Sequence, residues 1–157
     1  MSWFQKKASR DRVSLPFPVE RISALEPIVA AAIESACRMR GSPKVQHAHI
    51  VMSKAFNSYI CGFPKFLDYQ DPQLGASVRK MILTMFYDDN QIQIRFDTIQ
   101  ILLENDDKLV STAFSAGAAD GEIYWQDLIK SQPVSNHAFR MLGLLIRTSD
   151  LKQLIID

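Results

Sequence analysis

Helix start signals, each followed by a stripe of apolar residues, constrain this chain more than any other feature. Ser42-Pro43 and Asp71-Pro72 each place a capping side chain ahead of a proline, and proline is at home in a first helical turn. Behind the first pair, Val45, Ala48, Met52, Ala55, Phe56 and Tyr59 recur at helical spacing. Behind the second, Leu74, Val78, Met81, Ile82, Met85 and Phe86 do the same. Ser23 and Glu26 have the capping-box spacing ahead of an alanine-rich apolar run that closes near Arg38, Arg40 and Gly41. Asp106-Asp107 opens a segment through Ala119, with its carboxylates suited to a helix N-terminus. Glu122 to Lys130 reads as a short helix between Gly121 and Pro133, and Ser135 caps a last one over 136–147.

Two segments are less regular. From Gln91 to Asn105, Ile92, Ile94 and Phe96 alternate as in a strand, while Ile92, Phe96, Ile99 and Leu103 recur as in a helix. The run has no Gly or Pro and outlasts an ordinary strand, which favours helix. Gly62 to Asp71 carries Gly62 and Pro64 and reads as an irregular connection. The expected fold is all-α: a single compact domain of about six to eight short-to-medium helices packed at mixed angles. Residues 1–18 form an N-terminal arm or tail and 19–157 the helical domain. In the arm, Trp3 and Phe4 precede Lys6, Lys7, Arg10 and Arg12, and Leu15-Pro16-Phe17-Pro18 is held extended by its prolines.

Composition narrows the function classes. The chain is 47% hydrophobic with a net charge of +1, which excludes disorder as its main state. No apolar run is long enough for a transmembrane segment, and the basic N-terminus lacks the apolar stretch of a secretory leader. Cys37 and Cys61 are too few for a disulfide framework. The expectation is a cytoplasmic, bacterial protein. Residues 88–122 hold eight acidic and two basic residues, while the chain ahead of them is basic. Such a surface steers partners. A pI of 7.8 argues against nucleic acid, despite Arg38, Arg40 and Lys44 near one turn.

Catalytic constellations are missing. His47 and His49 are two apart and diverge on a helix, and His49 shares a face with Met52 and Phe56, as a core or boundary histidine would. Cys37 lies late in a helix, where the dipole disfavours a thiolate, and Cys61 lies at a helix end. The six glycines form no phosphate-binding motif. Neither a cofactor nor a metal ligand set is expected. Three acidic turns, Asp88-Asp89, Asp106-Asp107 and Asp120-Gly121-Glu122, lie at expected helix ends and would form a small metal-dependent or stress-related module if they converged.

The run Ala116-Gly117-Ala118-Ala119-Asp120-Gly121-Glu122-Ile123, which follows Phe114, resembles the Ala-Asp-Gly-Glu turn of tellurite-resistance TerB-like helical domains. That resemblance covers this short run and implies a stress-linked helical module with an acidic patch at Asp120 and Glu122. The later acidic residue of such domains would have to be Asp127, and no second matching repeat precedes it.

The remaining signal is aromatic. Tyr59, Phe63, Phe66, Leu67 and Tyr69 cluster around the irregular connection, and rings carry much of the energy of protein recognition. The expected function is a non-enzymatic protein-interaction module, such as an adaptor, a chaperone or an accessory or immunity-type protein. It would bind a protein partner through the aromatic loop at 59–74, and self-association through the same surface is left open.

Overall fold

A computed structural model of the chain describes residues 14–40, 47–134 and 138–148. Their helical segments are α1 (Glu20–Ser23), α2 (Leu25–Arg40), α3 (His47–Met52), α4 (Lys54–Gly62), α5 (Lys65–Gln70), α6 (Pro72–Phe86), α7 (Asp89–Glu104), α8 (Lys108–Ile129) and α9 (Arg140–Thr148). Only Ala24 separates α1 from α2, and only Ser53 separates α3 from α4, so the described residues form seven rods. They contain no strand, and the rods pack as one all-α domain. None of these helices is long and apolar enough to cross a membrane.

Helix α4 is the axis of the fold. Every residue from Ala55 to Gly62 is buried, as expected of a helix enclosed on all sides. Helices α3, α6, α7, α8 and α9 pack around it. Its polar side chains find partners inside. Ser53 accepts from the Phe56 amide at 3.1 Å and donates to the Ile50 carbonyl at 2.7 Å. Asn57 donates to the Ser53 carbonyl and Ser58 to the Lys54 carbonyl, both at 2.7 Å.

Helices α4 and α8 meet backbone to backbone. A Cβ on Gly62 would fall 2.2 Å from the Phe114 carbonyl oxygen. One on Gly117 would fall 2.0 Å from that of Tyr59, and one on Gly121 would fall 1.9 Å from that of Phe63. Glycine is required at these positions because backbone meets backbone. Trp125 Nε1 donates to the same Phe63 carbonyl at 2.9 Å. Around it, Phe63 lies against Tyr124, Trp125 and Phe139 at 5.5–5.7 Å between ring centroids. Phe17 stacks on Trp125 at 5.3 Å, so core packing begins ahead of α1.

Several expectations are corrected. Gly121 does not end a helix: α8 runs unbroken from Lys108 to Ile129, because the residue serves the α4 contact. The rod expected behind Ser42 is cut at Ser53, whose extended backbone and side chain cap α4; Ser42 and Pro43 lie outside the described residues. The connection at 62–71 is helical: Pro64 stands just ahead of α5, and Asp71 caps α6 by accepting from the Gln73 amide at 2.9 Å. Residues 91–96, by contrast, are helical as expected, within α7. Both α7 and α8 end in a left-handed residue that is not glycine, Asp106 (φ 57°) and Ser131 (φ 55°). The following amides reach back to the Leu102 and Asp127 carbonyls at 3.0 and 2.8 Å, the closure of a Schellman motif.

Candidate functional site

The five candidate side chains divide between interior and surface. Tyr59, Phe63 and Leu67 are buried, which corrects the expectation that they face a partner. They are inward because α4 is enclosed and α5 turns Leu67 under it. Phe66 is half-buried, and Tyr69 is 78% exposed. These two lie on α5 beside α8, at a cleft of about 250 Å³ lined by Lys65, Phe66, Tyr69, Ala118, Ala119 and Glu122. The Lys65 ammonium sits 5.9 Å from the Tyr69 ring centre and 5.5 Å from that of Phe114, within cation–π range. The cleft therefore has an aromatic wall, a floor of small side chains, and one charge of each sign. Ala118 and Ala119 were not anticipated at this cleft, although the small-residue run 116–119 was their signal; Glu122, expected in an acidic patch, lines it instead.

Helix α5 is fixed by polar contacts on its other side. Asp68 receives Arg79 Nη2 at 2.6 Å, while Arg79 Nε donates to the Cys61 carbonyl at 2.8 Å. Gly75 gives Asp68 room, since a Cβ there would overlap its carboxylate. Cys61 itself is buried, and burial pushes its thiol pKa up to about 12 against the pull of Arg79. That is the opposite of a nucleophile's environment.

The acidic turns do not converge. Asp88-Asp89 and Asp106-Asp107 lie at opposite ends of α7, about 24 Å apart at 1.5 Å per residue. Asp107 caps α8 by accepting from the Val110 amide at 3.0 Å and receives Lys54 Nζ at 2.6 Å. The Lys54 bond, then the amide, hold its carboxyl below the usual range. Asp120 is buried in mid-α8. It accepts the Tyr59 hydroxyl at 2.7 Å and the amides of Met141 and Leu142 at 3.1 and 2.9 Å. Burial raises its pKa, and those three donors oppose the rise. The acidic patch implied by the TerB-like run is thus not a surface patch, because its Asp120 is an internal anchor. Among the described residues, no three His, Cys, Asp or Glu side chains are grouped to hold a metal ion. His49 is exposed, not part of the core or its boundary, and His137 lies outside the described residues.

Helix α7 carries a buried arginine. Arg95 donates to Asn57 Oδ1 and Gln91 Oε1, each at 3.1 Å, and its guanidinium lies 4.2 Å from the Tyr87 ring centre. Its Nε is buried without a partner. The charge is held by neutral acceptors and a ring face and packs against α4 as structure.

No protein-family model matches the chain, and no curated protein or solved structure matches it either.

Proposed function

We propose that the protein is a non-enzymatic protein-interaction module that docks a partner segment in the cleft between α5 and α8. The observation that carries this reading is Tyr69. It is the most exposed large apolar side chain among the described residues, and it borders a cleft between two packed helices. A ring held at a cleft edge can bury most of its area against a partner without ordering a loop first. Phe66 extends the apolar wall, Ala118 and Ala119 admit a side chain from the partner, and Lys65 and Glu122 orient it. Adaptor, chaperone and accessory roles all use such a surface, in the cytoplasm or elsewhere.

A photo-crosslinking amino acid in place of Tyr69, in native cells, tests the proposal. A discrete protein adduct is expected there and not from the same group in place of Lys130, on the exposed end of α8. Equal labelling from both positions, or none from either, would overturn it.

A further inference from the structure

Helix α7 turns apolar residues outward as well as inward. Ile92 and Ile99 are in the core, while Ile94 and Ile101, on the opposite side, are each 56% exposed. The two exposed isoleucines are seven residues apart, so they stack two turns apart along one line of the helix. Asp97 and Glu104 repeat the same spacing on the adjacent line, and both are exposed. Gln93 Nε2 donates to Asp97 Oδ1 at 2.8 Å and fixes the carboxylate beside the ridge. The single basic residue of α7, Arg95, is buried and contributes no charge to this face.

We infer that this outer face of α7 docks a basic amphipathic helix of a partner protein. A spacing of seven recurs at one of the two positions at which paired helices keep a seam in contact, so Ile94 and Ile101 offer a partner helix one apolar position every two turns. The charge decides the occupant. A second copy packed α7 against α7 would bring the Asp97 and Glu104 rows against each other, and like charges across an interface oppose association. A helix with apolar residues every seventh position, flanked by Lys or Arg, satisfies both rows.

Two synthetic helical peptides serve as probes, each with leucine at every seventh position, one flanked by lysine and one by glutamate. Fluorescence anisotropy on the full chain is expected to show the lysine peptide binding at least about tenfold tighter, with affinity falling as salt rises. Ile94→Ser with Ile101→Ser should abolish that preference by removing the ridge. Asp97→Lys with Glu104→Lys should switch it to the glutamate peptide. All four side chains are exposed, so an unchanged melting temperature confirms that these variants fold. Equal binding of both peptides, no binding of either, or a wild-type dimer that the serine variant dissolves would each overturn the inference.

Discussion

Tyr59 donates its hydroxyl hydrogen to Asp120 inside the domain, joining α4 to α8 at 2.7 Å. The same carboxylate accepts the Met141 and Leu142 amides, which are open donors in the first turn of α9. One buried side chain thus caps a helix that begins twenty residues later in the chain.

Breaking this junction should be costly in a graded way. Tyr59→Phe removes one bond and should lower unfolding free energy by about 1–2 kcal/mol. Asp120→Ala strands a hydroxyl and two amides and should cost about 3 kcal/mol or more. The double variant should lose less than the two single losses together, because both act on one bond. Urea unfolding of the four proteins checks the pattern.

Glycine positions should respond oppositely to the same added methyl group. Gly117→Ala drives a Cβ into the Tyr59 carbonyl and should destabilise by about 1–3 kcal/mol. Gly143, within α9, has nothing within 4 Å of an added Cβ. Gly143→Ala should therefore stabilise by about 0.4–1 kcal/mol, through a less flexible unfolded chain. Thermal and urea midpoints of both variants measure this difference.

That contrast also explains what could be read from the residues alone. The cap and proline at Asp71-Pro72 marked α6 correctly, because both act locally. The uninterrupted length of 91–105 marked α7 as helix for the same reason. Gly121 misled because a glycine that breaks a helix and one that lets two helices touch are identical until the neighbour is known. The rings of Tyr59 and Phe63 misled similarly: an aromatic side chain shows that area will be buried, not against what. Tyr69 stayed at the surface because α5 turns Leu67 inward and leaves Tyr69 outside. The helical form of 65–70 was hidden by Gly62 and Pro64.

Stability in acid should depend on Asp107. Its folded pKa lies below the unfolded value, so its stabilisation is complete above about pH 4. It is lost as pH falls through the lower folded value. Asp120, with a raised pKa, contributes the opposite slope: its stabilisation is complete below the unfolded value and lost as pH rises through the folded one. Asp107→Asn should flatten the loss of stability on the acid side, read as urea midpoints across an acid titration.

The Cys61 thiol should be inert in the folded protein. Its pKa of about 12 and its burial withhold both thiolate and access. In a Cys37→Ser background, a chromogenic disulfide reagent at mildly alkaline pH should titrate no thiol until urea unfolds the chain, and one thereafter.

The docking claim rests on Tyr69, and affinity on matched scaffolds tests it most directly. Peptides selected from a displayed library on the wild-type protein should carry an apolar anchor residue. They should bind Tyr69→Ala about ten- to a hundredfold more weakly, or about 1–3 kcal/mol, while the urea midpoint stays unchanged. Unaltered affinity for Tyr69→Ala, or a loss that follows a fall in stability, would contradict the account.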